Sequence, residues 1–186
     1  MGGFFAIAFA AAHPERVRRL ILAGSPGGVF PRLGLFLQLW ATPGIGALIS
    51  RITFRDTETL RKRAFGGILV HPERLPTDLL EVALAGINLP GTADTNRAIL
   101  QNVATLRGWR PEMRLDDTLT ALDVPTLFTW GAKDQLAPAD VGRDLAERMS
   151  NAKLAVIEDA GHIPHIDQPD AVTTAINEFL RQSASQ

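Results

Sequence analysis

Two short loops carry the residue pair best suited to proton-transfer chemistry. Trp130 is followed by Gly131-Ala132-Lys133-Asp134, and Ile157 by Glu158-Asp159-Ala160-Gly161-His162. A carboxylate that accepts a hydrogen bond from an imidazole fixes its tautomer and stabilises the imidazolium once a proton has been taken up, which is the orienting half of a nucleophilic triad. Each residue alone has an ordinary explanation. An Asp shortly after a strand is commonly a turn or cap residue, and an isolated histidine is commonly a satisfied surface or core residue. The pair gains weight if neighbouring strands deliver both, because strands about 4.8 Å apart place residues just beyond their ends within hydrogen-bonding reach.

The elements needed for that delivery are readable. Val124-Pro125 introduces TLFTW, a strand, and Pro138–Met149 carries Val141, Leu145 and Met149 at helical spacing with proline in its first turn. Leu154–Ile157 reads as another strand and Pro169–Leu180 as a closing helix. Strand, helix, strand, helix in that order means parallel strands joined by crossovers. Function in such sheets gathers beyond the carboxyl ends of the strands.

Near the start, Gly3–Ala12 is apolar on every side, as a helix enclosed by its neighbours would be, and His13-Pro14 ends it. Val17–Ala23, with an unbroken LILA, reads as a buried strand, and Gly24-Ser25-Pro26-Gly27-Gly28 as a loop. From there to Pro111 the pattern is helical, broken by Pro31, Pro43, Pro72, Pro76 and Pro90, with no convincing strand. The chain thus divides into a core at 1–29, a helical insertion at 30–111 and a second core segment at 112–186.

Composition excludes several classes. With 186 residues, 46% of them hydrophobic and 21% charged, the chain is long enough for one core with an appended lid. Nineteen Lys and Arg against twenty Asp and Glu give a net charge of -1, so no basic field argues for nucleic acid or an anionic membrane. Zero cysteines exclude disulfides, thiolate metal sites and a cysteine nucleophile, and cytoplasm is the default location. Phe4–Ala12 lacks the preceding positive charge of a signal peptide. Leu33–Ser50 is uncharged for eighteen residues, but Pro43 between glycines breaks it, giving two short amphipathic helices rather than a membrane span.

GAKDQLAP, followed by a helix, a strand and AGHIPHIDQP, resembles the C-terminal third of the α/β-hydrolase family, whose nucleophile, acid and histidine occur in that chain order. The opening MGGFFAIAFAAAHPE is similar to the family's nucleophile elbow and the buried helix after it. The resemblance covers essentially the whole chain and implies a partial α/β-hydrolase fold: a parallel sheet with helices on both faces and a helical cap. Aligned on the G-x-S-x-G elbow, Gly2 is the motif's last glycine and Met1 the residue after the nucleophile, whose amide would serve the oxyanion hole. The family's first strands, second oxyanion donor and nucleophile then lie ahead of Met1, so truncation is expected and the chain alone should be inactive.

The resemblance further implies nucleophilic attack on a carbonyl, with His162 moving the proton, Asp134 orienting His162, and no cofactor. Phe36, Leu37, Leu39, Trp40, Phe54, Phe65 and Trp109 of the cap suggest a small apolar substrate, with Phe36, Trp40, Trp109 and His165 as substrate contacts. Pro26 denies Ser25 the strand-to-helix turn of an elbow, leaving a loop serine, and Ser50, Ser150 and Ser183 have no base near them in sequence. His13 and His71 each precede Pro-Glu, where helix termination explains them. His162 and His165 form H-x-x-H, but Pro164 denies the helix that would align two imidazoles, and no metal is expected. Arg51, Arg55, Arg61, Lys62 and Arg63, interleaved with Asp56 and Glu58, read as a solvated helix face. A second function class stays open, a non-catalytic remnant that folds only by association. In either case the bare edge of the Val17–Ala23 strand favours self-association.

Overall fold

In the computed structural model, which describes residues 1–30, 33–49 and 56–182, three apolar runs form one parallel sheet. Thr126–Gly131 is its middle strand, flanked by Leu20–Ala23 and Ala152–Ile157. The register pairs Leu22 with Phe128 and Ala23 with Thr129 on one side, and Trp130 with Val156 and Gly131 with Ile157 on the other. Every residue of the middle strand is buried, which is why TLFTWG is apolar without alternation. The first strand begins at Leu20 rather than Val17, because Pro14–Arg16 forms a single tight helical turn closed by the Val17 amide on the Pro14 carbonyl.

Helices cover both faces. Gly142 of helix Ala139–Glu147 lies against the Trp130 ring and Leu154; a Cβ on Gly142 would stand 2.7 Å from that ring. Ile157, Ala160 and Val172 cluster with Ala155 and Ile176, so helix Pro169–Gln182 covers the face to which Ala155 and Ile157 point. Successive side chains of a strand point to opposite faces, so Leu154 and Ala155 assign the two helices to opposite sides. Helix Gly2–Ala12 packs on the Leu20–Ala23 strand and helix Asp116–Thr120, with Gly3 close against Pro26 and Leu22. Only Ile7 and Ala10 of that first helix are buried, whereas Phe5 and Phe9 are 62% and 45% exposed. The all-round apolar pattern therefore does not translate into all-round burial among the described residues.

These elements belong to one compact unit, Met1–Phe30, Gly67–His71 and Leu115–Gln186. The five residues Gly67–His71, which the sequence pattern leaves inside the insertion, group with the sheet.

A second unit, Pro31–Gly66 and Pro72–Arg114, is helical. Its helices are Leu35–Ala41, Ile45–Ile49, Thr57–Leu60, Thr77–Ile87 and Thr92–Val103. Pro43-Gly44 separates the first two, Gly44 taking a positive φ of 83°, and Gly46 lets the second helix lie directly on the Trp40 carbonyl. Asp56 caps Thr57–Leu60, its Oδ1 accepting the Thr59 amide at 2.7 Å. Ala104–Thr105 and Gly108–Trp109 form a two-residue antiparallel pair that the sequence did not reveal, since two rungs leave no periodicity. Ser50, Arg51, Phe54, Arg55 and Ser183 lie outside the described residues. Among the described residues no helix is long and apolar enough to cross a membrane.

Candidate active site

The carboxyl ends of the three parallel strands each release one polar residue into the same place: Ser25, Asp134 and His162. The two loops after the middle and last strands are zipped together by their backbones. The Ala132 amide donates to the Ile157 carbonyl and the Lys133 amide to the Ala160 carbonyl, both at 2.9 Å. Gly131 permits this, because a Cβ there would strike the carbonyls of Ala160 and Gly161. Gly24, at φ 79°, serves the first strand's loop in the same way, since a Cβ on it would strike the His162 carbonyl oxygen.

Asp134 is held as a fixed acceptor. Its Oδ1 accepts the Leu136 amide at 2.8 Å and the Ala137 amide at 3.3 Å, and the Trp130 indole clasps the same loop by donating to the Ala137 carbonyl at 3.0 Å. Its Oδ2 lies 3.1 Å from His162 Nδ1. The Asp134 side chain is fully buried and that of His162 is 25% exposed. Burial pushes the Asp134 carboxyl up, but the hydrogen bond and charge of His162, the Leu136 amide and the Ser25 hydroxyl together outweigh it and hold the carboxyl below its ordinary value of 3.8. An ionised carboxylate only accepts, so His162 donates from Nδ1–H and its Nε2 is the basic nitrogen. Among the described residues, no side chain is hydrogen-bonded to Nε2.

Ser25 is 7% exposed, and its Oγ lies 3.0 Å from His162 Nδ1, the same nitrogen that faces Asp134. A nucleophile would have to meet Nε2, so this position rules Ser25 out as the attacking group. It is nevertheless part of the site, which the sequence reading missed. The missing signal was topological: once Leu20–Ala23 is known to pair with Thr126–Gly131, the residues just past both strand ends must be neighbours.

The histidine loop has its own anchors. The His162 amide donates to the Ile68 carbonyl at 2.7 Å. The fully buried Asp167 accepts the amides of Gly161 at 2.7 Å, His71 at 2.7 Å and Val70 at 3.2 Å, fastening segment Gly67–His71 to the loop. At the surface Asp159, at φ 54°, receives Lys133 Nζ at 2.7 Å and His71 Nε2 at 2.6 Å. Its hydrogen bonds to Lys133 and His71 pull the carboxyl down to about 2. Gly67–Val70, Lys133, Gln135 and Gly161 line a recess of about 290 Å³ beside Asp134.

The other expected site residues are dispersed. Met1 is the N-cap of helix Gly2–Ala12 and half-exposed, its carbonyl accepting the Phe5 amide at 3.3 Å. His165 is exposed on the short helix Pro164–Asp167. In the helical unit the Phe36 and Trp40 rings are tilted by 46° with centres 6.1 Å apart, Phe36 being exposed. Trp109 lines a cavity of about 700 Å³ with Ala41, Pro43, Leu106 and Arg110, and neither Phe36 nor Trp40 lines it. Among the described residues no group of three His, Asp or Glu is arranged to hold a metal ion.

Residues 1–169 match the family model described as alpha/beta hydrolase fold. The chain is 30% identical over 185 residues to a 2-hydroxy-6-oxononadienedioate/2-hydroxy-6-oxononatrienedioate hydrolase of Burkholderia vietnamiensis, the match covering 98% of this chain and 60% of that protein. It is 27% identical over 187 residues to a pimeloyl-[acyl-carrier protein] methyl ester esterase of Neisseria meningitidis, covering 97% of this chain and 66% of that one. Among solved structures, the 2-hydroxy-6-oxo-6-phenylhexa-2,4-dienoate hydrolase of Rhodococcus sp. strain RHA1 superposes with a TM-score of 0.74 at 20% identity, over 97% of this chain and 61% of that one. The chain thus spans about 60% of the length of the first of these relatives.

Proposed function

Because the chain belongs to the α/β hydrolase fold family, we propose that it supplies the acid–histidine half of a nucleophile–His–Asp triad acting on a small apolar ester or related carbonyl substrate. The observation that carries this is the 3.1 Å contact between the fully buried Asp134 carboxylate and His162 Nδ1, which leaves Nε2 as the nitrogen able to take a proton. In the reaction a nucleophile would surrender its proton to Nε2 while attacking the substrate carbonyl. Asp134 would stabilise the imidazolium so formed, and the proton would then pass to the leaving group.

Among the described residues no hydroxyl meets Nε2, so none of them is assigned as the nucleophile, and the Met1 amide is assigned as an oxyanion donor. The helical unit is the cap. Its cavity, lined by Trp109 and Leu106 with Arg110, suits an apolar group of modest size, and the ester chemistry is supported by the methyl ester esterase among the relatives. Purified chain incubated with short-chain p-nitrophenyl esters should turn over no faster than buffer, since loss of a triad nucleophile costs on the order of a million-fold in turnover. Turnover that survives repurification and disappears in His162→Ala would overturn the assignment of the nucleophile.

A second reading is favoured by the exposure of Phe5 and Phe9 on the first helix and by the position of the Leu20–Ala23 strand at one end of the sheet among the described residues. These would make the chain a non-catalytic partner that associates with a second copy through that edge. Sedimentation of a dilute sample distinguishes the two, a stable monomer counting against association.

A further inference from the structure

We infer that Ser25 is a positioning residue of the site, a third member of the hydrogen-bonded group that holds His162 from its Nδ1 side. This rests on the acid–histidine assignment above and extends it to a residue on a third strand end.

Proton inventory fixes the direction of each bond. The Ser25 Oγ lies 3.0 Å from His162 Nδ1, the nitrogen that also faces Asp134 Oδ2. A carboxylate has only lone pairs to offer, so Nδ1 carries the proton and the Ser25 oxygen can meet it only as an acceptor. The Ser25 oxygen then faces Nδ1 with lone pairs, and Nδ1–H is shared between it and Asp134 Oδ2 at 3.1 Å. Together with the Leu136 and Ala137 amides on Oδ1, this gives both Asp134 oxygens donors, as a fully buried carboxylate requires. Ser25 thereby steadies the imidazole as an acceptor on its Nδ1 side.

The surrounding chain holds the hydroxyl in place. Gly24 lies against the His162 carbonyl and its amide continues the sheet ladder by donating to the Thr129 carbonyl at 2.8 Å. Pro26 is packed on Gly3. Ser25 therefore sits between two fixed residues, and its side chain is buried against the histidine loop.

The test uses the full 186-residue chain with ¹⁵N-labelled histidine. It reads the Nδ1 proton of His162 and its rate of exchange with water. Wild type should show Nδ1–H. Ser25→Ala should keep that tautomer but exchange the proton about tenfold faster, the size of one lost hydrogen bond. Ser25→Thr, which keeps the hydroxyl, should restore the wild-type lifetime. The Nε2 proton of His71, bonded to Asp159, reports independently on folding of the same unit. A substitution that merely loosened the structure would speed both protons alike.

Asp134→Asn separates this inference from the assignment beneath it. If Asp134→Asn moves the proton to Nε2 while Ser25→Ala leaves the lifetime unchanged, the role of Ser25 is overturned and that of Asp134 stands. If Asp134→Asn changes nothing, the acid–histidine assignment fails and Ser25 falls with it. If Ser25→Ala also disturbs His71, Ser25→Thr decides: a wild-type lifetime supports the role, and an Ala-like lifetime overturns it.

Discussion

In the sheet unit, order around the site comes from polar groups with one allowed arrangement. Asp134 and Asp167 are both buried, and each accepts from named donors: the first from two amides and an imidazole, the second from the amides of Gly161, His71 and Val70. In the helical unit the helices instead present apolar residues outward. Leu35, Phe36, Leu48, Val82 and Leu89 are all more than half exposed, and the capping contact of Asp56 lies at the surface. Hydrogen bonds lose strength steeply with misalignment, whereas apolar contact is non-directional. A proton-transfer pair needs the first kind of order. A surface that selects an apolar substrate can be built from the second.

Substitutions of matched size should expose that contrast. The largest effect is expected from Asp167→Ala, which strands the amides of Gly161, Val70 and His71. At about 1–3 kcal/mol for each buried donor left unsatisfied, partly relieved by water, urea unfolding should register a loss of about 3–5 kcal/mol. A loss below 1 kcal/mol would mean that the loop is ordered by its apolar contacts after all.

Acid should act next, and in a defined direction. Asp134 and Asp159 titrate below the ordinary carboxyl value of 3.8 in the folded chain, Asp159 at about 2. Groups depressed in this way contribute stability that is fully present above the unfolded value and is lost as pH falls through the folded one. Urea midpoints should therefore hold from neutral pH down to the ordinary carboxyl range and drop on acidification toward pH 2. In the helical unit the Asp56 cap follows the same sign, through its bonds to Thr59. Because Asp56 and Asp159 are exposed, the drop should be carried mainly by Asp134, and Asp134→Asn should flatten it. An acid profile unchanged by Asp134→Asn would place the sensitivity elsewhere.

The smallest effect is expected from Val82→Ser in the helical unit, where the side chain is 69% exposed. Stability should move by no more than about 0.5 kcal/mol. A larger loss would show that this outward face is covered in solution, and sedimentation of the same variant would say whether a second copy covers it.

Much of this was legible in the sequence. The three strands, the helices over 138–149 and 169–180, and the loop placement of Asp134 and His162 follow from apolar runs, proline positions and chain order. What stayed hidden depends on contacts between distant residues. Ser25 looked like a loop residue because its partner His162 is 137 positions away, and only strand pairing brings them together. Gly67–His71 has no sequence mark of its own, because its attachment to the histidine loop is made by backbone amides and a carbonyl, which every residue type shares. The apolar first helix misled in the opposite sense, since composition reports which faces can be covered and not which are.

The central claim is the proposal that His162, oriented by Asp134, is the base that activates a nucleophile. Its most direct test is to read the gene upstream of the Met1 codon and, where the frame is open, to express the extended protein and treat it with a fluorophosphonate probe. A serine immediately before Met1 should be labelled, and His162→Ala in the extended protein should slow labelling by at least about 10³-fold, as removal of a triad member does. Labelling at an unchanged rate in folded His162→Ala, or no labelling of a folded extended protein with serine at that position, would contradict the account.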